Sequence, residues 1–254
     1  MKTVIIKVGT GVLTKQSDGC LDDESLANLV KAVARVAEQG HRVMIVSSGA
    51  VGAGISGLGL REYPADIATR QACAAVGQTR LMHAYENLFT SYGYSVAQLL
   101  LTAEDLNDEK RSGRVRDTLA KLNEMGNIIP IINENDSISV KEISMGDNDM
   151  LSSRVARLLG TDLLVLMSTI DGLISPETNE VIAEITNIDS LLGFASNDRG
   201  KFSLGGMDSK LQAVKRAVDV GIDTVIMNGA HLERVLDVVV ENGKEICSCF
   251  KVND

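Results

Sequence analysis

The sequence predicts a three-layer α/β/α sandwich built around a mostly parallel central sheet. Three observations carry that prediction. Short apolar runs alternate with longer stretches of helical periodicity along the chain. Those short runs are apolar throughout instead of alternating with polar residues, so both faces of each strand are covered. Strand–helix alternation with both faces covered favours parallel pairing through right-handed crossovers.

The elements follow in order. Residues 3–8 form an apolar run that ends in Lys7-Val8-Gly9. A helix is expected over 22–39, with Asp22 or Asp23 as cap, an apolar stripe from Leu26 to Ala37, and Gly40 as its stop. A strand over 42–46 leads into Ser47-Ser48-Gly49-Ala50, and a helix is expected over 66–92 with Leu81, Met82, Tyr85, Leu88 and Phe89 on one face. Next come a strand over 94–100, a helix over 115–124 stopped by Gly126, and a strand over 127–132. Pro130 inside that strand suggests an edge position or a local irregularity, because proline cannot donate to a ladder. The remaining expectations are helices over 150–159, 207–220 and 232–241, and strands over 163–167, 224–227 and 245–250. Residues 170–206 are richer in turn formers and are expected to carry a small hairpin and a short helix. No linker or internal repeat interrupts this order, so one domain over 1–254 is expected.

Composition narrows the function classes. The 254 residues are 44% hydrophobic and 23% charged with only 3 prolines, which suits a folded chain with a large core. A formal net charge of −9 disfavours nucleic acid and anionic membrane as partners. With no tryptophan and 3% aromatics, a base-stacking platform is not expected either. Cys20, Cys73, Cys247 and Cys249 form no C-x-x-C pair and lack a nearby histidine, so they read as small buried hydrophobes in a reducing compartment. The chain enters a strand at once, without a signal-peptide pattern or a membrane-length apolar run, and a cytoplasmic location is expected.

Ligands of open parallel sheets bind beyond the carboxyl ends of the strands, so the residues there are the informative ones. Lys7 beside Gly9 and Gly11 can place a cation and backbone N–H groups around an anion; it can also be a lysine that merely snorkels. The run 47–54 is small and glycine-rich and reads as a loop offering hydroxyl and N–H donors. Gly52, Gly54 and Gly57 spell G-x-G-x-x-G. However, no helical pattern opens inside the motif and no acidic residue ends a next strand at the required distance, so a dinucleotide site is not expected.

Two acid-rich clusters follow, Asn133-Glu134-Asn135-Asp136 and Gly146-Asp147-Asn148-Asp149, the second leading into a helix at Met150. Either could cap a helix. Together they imply recognition of an amino group, organisation of active-site lysines, or coordination of Mg²⁺ through water. Ser168-Thr169 ends the next strand, and Leu204-Gly205-Gly206-Met207-Asp208-Ser209-Lys210 opens a helix whose glycines can present N–H donors to phosphate. A lysine in a first helical turn opposes the helix dipole, which marks Lys210 as a functional charge. Walker and protein-kinase motifs are absent.

Taken in order over nearly the whole chain, these segments resemble the amino acid kinase superfamily. The matching runs are Ile6-Lys7-Val8-Gly9-Thr10, Val46-Ser47-Ser48-Gly49-Ala50-Val51, Ala74-Ala75-Val76-Gly77-Gln78, Gln98-Leu99-Leu100-Leu101-Thr102, the two acid-rich clusters, Gly205-Gly206-Met207 with Lys210, and 217–223. The paired clusters are the most specific of these. They point to the branch whose members use ATP to phosphorylate the side-chain carboxylate of L-glutamate, at the start of proline synthesis. The resemblance implies that fold for the sandwich. It implies that Lys7 binds phosphate, that Ser48, Asp136 and Asn148 bind glutamate, and that Asp149 organises catalysis with Lys7 and Lys210. It also implies that Ser168, Thr169, Leu204, Gly205, Gly206, Met207, Asp208, Ser209 and Lys210 meet ATP.

Two departures are visible. The family often has Thr-Asp at Ser168-Thr169 and Thr at Leu204, which leaves backbone donors for those nucleotide contacts. Many relatives carry a C-terminal PUA domain, and none is expected here because the chain ends just after its last strand. ATP with Mg²⁺, feedback by proline, and a homo-oligomer are further expectations. A sister enzyme of the same fold acting on another carboxylate or on carbamate is the alternative reading.

Overall fold

The computed structural model describes residues 1–15, 17–139, 147–175, 177–188, 191, 207–241 and 247–252. The elements are β1 (Thr3–Val8), α1 (Thr10–Leu13), α2 (Asp23–Glu38), β2 (Arg42–Ser47), α3 (Ala50–Leu58), α4 (Ile67–Thr90), β3 (Ser95–Leu101), α5 (Ala103–Asn107), α6 (Glu109–Met125), β4 (Ile128–Glu134), α7 (Asp147–Leu159), β5 (Leu163–Ser168), β6 (Glu184–Ile185), α8 (Met207–Val218), β7 (Asp223–Asn228), a 3-10 turn (Gly229–Arg234), α9 (Val235–Glu241) and β8 (Cys247–Phe250).

The strands form one sheet in the order β3-β4-β2-β1-β5-β7-β8-β6. Every pairing from β3 across to β7 is parallel. β8 turns back, antiparallel to β7, and β6, which pairs parallel with β8, runs in the same reversed direction. The predicted three-layer sandwich is the observed one. Along β1, Val4, Ile6 and Val8 enter the layer under α2, α4 and α9, while Ile5 enters the layer under α7 and α8. These positions are fully removed from water, and each is worth roughly 1.5–3 kcal/mol of apolar transfer. No helix among the described residues is long and apolar enough to cross a membrane.

Local chemistry sets the helix ends. Asp22 caps α2 by accepting from the Glu24 N–H and the Ser25 hydroxyl, and Asp66 caps α4 by accepting from Thr69 N–H at 2.8 Å. Tyr85 on α4 is wholly buried, stacks on Phe89, and keeps its hydroxyl paired with Ser47 Oγ at 2.9 Å. Burial pushes that phenol well up from its ordinary range.

Four expectations need correction. Gly52, Gly54 and Gly57 are not a loop: they lie within α3. Their role there is close approach. A Cβ on Gly54 would collide with the Cys73 carbonyl, and one on Gly77 of α4 with the Ala50 carbonyl, so α3 and α4 touch backbone to backbone. The chain enters α3 through Gly49 at φ 99°, a conformation glycine adopts freely.

Pro130 does not mark an edge, since β4 runs between β3 and β2. The irregularity is real: pairing with β2 covers only Ile131 and Ile132, so that ladder starts just after the proline. The helix expected from Met150 begins at Asp147, which puts Asn148 and Asp149 inside its first turn. Finally, the helix expected over 232–241 divides into the 3-10 turn, capped by Asn228, and α9. The small hairpin is present, bridged at Ile174 and Val181, whereas most of the segment expected to hold a short helix lies outside the described residues.

Candidate active site

The carboxyl ends of β1, β2, β4 and β5 open into a cleft of about 690 Å³. Sheet order divides it. β1 brings Lys7 to the middle; β2 and β4 bring Ser48, Asn133, Glu134 and Asp136 on one side; β5 brings Ser168 and Thr169 on the other. Strand neighbours stand roughly 4.8 Å apart, so each half is a few strands wide.

At the centre, two lysines share one carboxylate. Lys7 follows Ile5 by two residues and therefore faces the α7–α8 layer. Its Nζ lies 2.5 Å from Asp149 Oδ1. Lys210, on α8, places Nζ 3.2 Å from Asp149 Oδ2, and Ser209 donates its hydroxyl to the same oxygen at 3.3 Å. Lys7, Asp149 and Lys210 retain 4%, 0% and 8% of their exposure. Burial draws the Lys7 ammonium below the ordinary lysine range; the nearby Lys210 charge acts in the same direction and Asp149 opposes both. Two ammonium groups against one carboxylate leave one positive charge, suited to an anion in the cleft. Such buried ion clusters are poor sources of stability, so their presence here points to use.

The neighbouring residue ties the centre to the β2–β4 half. Asn148 Nδ2 donates to Ser48 Oγ at 2.8 Å, to Asn133 Oδ1 at 3.0 Å and to the Ser47 carbonyl at 3.3 Å. Asn133 in turn donates to Gln78 Oε1 on α4 at 2.9 Å. A chain of amides thus fixes the wall of this half by side chains that are themselves buried or nearly so. At its mouth Arg70, from the first turn of α4, donates to the phenol oxygen of Tyr63, and the Asp136 charge bears on the same phenol. All three line the cleft.

Of the residues singled out in the sequence, Lys7, Ser48, Asp136, Asn148, Asp149, Ser168, Thr169, Ser209 and Lys210 line this cleft together. Met207 is buried in the apolar layer under α8 and Asp208 is exposed, because only one stripe of that helix faces Asp149. Leu204, Gly205 and Gly206 lie outside the described residues. Among the described residues no group of three or more His, Cys, Asp or Glu could hold a metal ion. The Asp149 carboxylate is engaged by two lysines, so a Mg²⁺ in this cleft would be held chiefly through phosphate oxygens and water. Sequence reading gave no role to Asn133, although it opens the first acid-rich cluster, nor to Gln78. It had no signal for Tyr63 and Arg70, which stand away from any strand end.

A model described as the amino acid kinase family matches residues 2–228. Among curated proteins, the chain is 43% identical to glutamate 5-kinase of Clostridium tetani, covering 98% of this chain and 94% of that one. It is 43% identical to glutamate 5-kinase of Clostridium acetobutylicum, covering 93% and 90%. Against the glutamate 5-kinase of Gloeobacter violaceus it is 41% identical and spans 66% of the longer chain. Among solved structures, a carbamate kinase of Giardia has a TM-score of 0.66 at 16% identity, covering 99% of both chains, a likeness that speaks for the fold alone.

Proposed function

We propose, from the premise that this chain belongs to the amino acid kinase family, that it is a glutamate 5-kinase, transferring the γ-phosphoryl group of ATP to the side-chain carboxylate of L-glutamate. The observation that carries this reading is the shared carboxylate of Asp149 holding Lys7 and Lys210 at the point where the two halves of the cleft meet. The product is γ-glutamyl phosphate, an acyl phosphate, with ADP, and the reaction opens proline synthesis.

The halves take separate tasks. The β5 side, with Ser168, Thr169 and the start of α8 at Ser209 and Lys210, is assigned to ATP. Leu204, Gly205, Gly206, Met207 and Asp208 are assigned to the same segment through the resemblance. The β2–β4 side, with Ser48, Asp136 and Asn148, is assigned to glutamate. Asp136 suits the α-ammonium group as a carboxylate partner. The γ-carboxylate is already an anionic nucleophile and needs no general base, so positioning and charge neutralisation supply the catalysis. Lys7 and Lys210 neutralise oxygens of the transferring group, and Asp149 holds both ammonium groups in place. Mg²⁺ bound to the triphosphate would add Lewis-acid neutralisation of its oxygens. The chain acts in the cytoplasm on this reading, as a homo-oligomer subject to proline.

The test is ADP release by the purified enzyme with MgATP and, in turn, glutamate, aspartate, N-acetylglutamate, carbamate and UMP, with hydroxylamine present to trap an acyl phosphate as its hydroxamate. Glutamate alone should support turnover and yield hydroxamate. Preferred turnover with carbamate or another acceptor would overturn the assignment.

A further inference from the structure

Glutamate brings two carboxylates to the cleft, and the centre accounts for one of them. The γ-carboxylate must reach the transferring phosphoryl group, where Lys7 and Lys210 are already committed to Asp149. The α-carboxylate then lies toward the β2–β4 side. An anion there faces Glu134 and Asp136, both on the wall, and needs a compensating cation.

Among the described residues that line the cleft, three carry a cationic side chain: Lys7, Lys210 and Arg70. Arg70 is the one of these three on the substrate side. It rises from the first turn of α4, the helix packed backbone to backbone on α3, and α3 directly follows Ser48 and Gly49. Tyr63 accepts a hydrogen bond from its guanidinium, which limits the rotamers the long side chain must lose on binding. The carboxylate of Asp66 at the cap of α4 also bears on it, and Asp136 stands across the same mouth. A guanidinium and a carboxylate that line one mouth offer the two charges complementary to an α-amino acid head group, which carries one charge of each sign. The guanidinium can bind a carboxylate through two parallel hydrogen bonds, a geometry no lysine reproduces.

We infer that Arg70 binds the α-carboxylate of the amino-acid substrate, with Tyr63 as the residue that positions it, and that this pair beside Asp136 selects α-amino acids over simple carboxylates. The inference rests on the glutamate reading of the cleft and names its specificity element. Arg70 lies away from the phosphoryl centre, so its contribution is to binding and discrimination. Tyr63 touches no substrate on this view and acts only through Arg70.

The experiment compares wild-type enzyme with Arg70→Ala, Arg70→Lys and Tyr63→Phe on three acceptors. These are L-glutamate, L-glutamate 1-amide, which keeps the γ-carboxylate but has a neutral amide at the α-position, and 4-aminobutyrate, which lacks the α-carboxylate. Losing a charge-assisted contact is worth a roughly ten- to hundredfold change. Wild type should favour glutamate over its 1-amide by that factor in kcat/KM, and Arg70→Ala should erase the preference chiefly by raising KM for glutamate. KM for ATP should stay within twofold, which also shows that the variant is folded. Arg70→Lys should recover only part of the preference, and Tyr63→Phe should raise KM for glutamate by less than Arg70→Ala with kcat little changed. Wild-type turnover of glutamate with the same glutamate-to-amide ratio in Arg70→Ala would overturn the role of Arg70 alone. A rise in KM for ATP instead of glutamate would overturn it too, by moving Arg70 to the nucleotide. A wild-type enzyme with no glutamate-dependent ADP release would overturn the activity itself, and this assignment with it.

Discussion

Lys7, at the carboxyl end of β1, and Lys210, on α8, meet the two oxygens of a single carboxylate at 2.5 and 3.2 Å. Each ammonium on its own would be a buried charge facing another of like sign. Asp149 makes their coexistence tolerable, and the residual positive charge is aimed into the cleft.

Removing either lysine should therefore act on the rate. Lys7→Ala and Lys210→Ala are each expected to lower turnover by at least about a hundredfold, the usual loss when a contact to developing transition-state charge is deleted. Asp149→Asn should lose as much, because it releases both lysines at once. Steady-state ADP release measures all three, and near-normal turnover in either alanine variant would remove that lysine from the mechanism.

Asn148 and Asp136 should divide from the lysines in kind. Asn148→Ala breaks the donation to Ser48 at 2.8 Å, and Asp136→Ala removes a carboxylate from the substrate half. Both are expected to raise KM for glutamate by roughly tenfold or more while leaving KM for ATP nearly unchanged. A loss confined to ATP would reverse the assignment of the two halves.

The Lys7 ammonium predicts a pH dependence. Burial lowers its pKa from the ordinary 10.5, so the charged form required for catalysis is lost at a lower pH than for an exposed lysine. The rate should be full on the acid side of that pKa and fall as pH rises through it, giving kcat/KM an alkaline limb below pH 10.5. Lys7→Arg, whose guanidinium does not titrate there, should show no such limb in its residual activity. A flat wild-type profile up to pH 10.5 would contradict the lowered value.

The contact between α3 and α4 predicts a stability effect. A Cβ at position 77 would meet the Ala50 carbonyl, and backbone cannot yield as a side-chain tip does. Gly77→Ala should cost about 1–3 kcal/mol through overpacking, a fall of several degrees in Tm by thermal unfolding. An unchanged Tm would mean the helices can separate without penalty.

Proline shares the α-carboxylate and cationic nitrogen of glutamate but lacks the γ-carboxylate. Inhibition by proline is expected to weaken as glutamate rises, since ligands that share contacts exclude each other, and to weaken in Asp136→Ala. Initial rates over a grid of both amino acids would show it. Inhibition that persists at saturating glutamate would indicate a separate site.

Much of this protein was legible along the chain. The apolar runs gave the strands within a residue or two because a strand covered on both faces has few alternatives, and the acid cap at Asp22 marked a helix start by satisfying a free N–H group. Lys210 stood out as a charge opposed to its helix dipole, whereas Lys7 and Asp149 were marked by the glycine turn and the acid-rich cluster they sit in and by the family resemblance. The pairing itself was decided by tertiary structure: α7 and α8 pack side by side on one face of β1, and alternation along the strand turns Lys7 toward that face. Sequence also misread the glycines of α3, because a glycine needed for a turn and one needed for close helix packing look the same until the partner backbone is in place. Pro130 was ambiguous for a similar reason, since an interior strand accepts it only where its neighbour's ladder has not yet begun. Tyr63 and Arg70 gave no local signal at all. Their place in the cleft comes from how α4 lies against α3, a relation that no periodicity or spacing encodes.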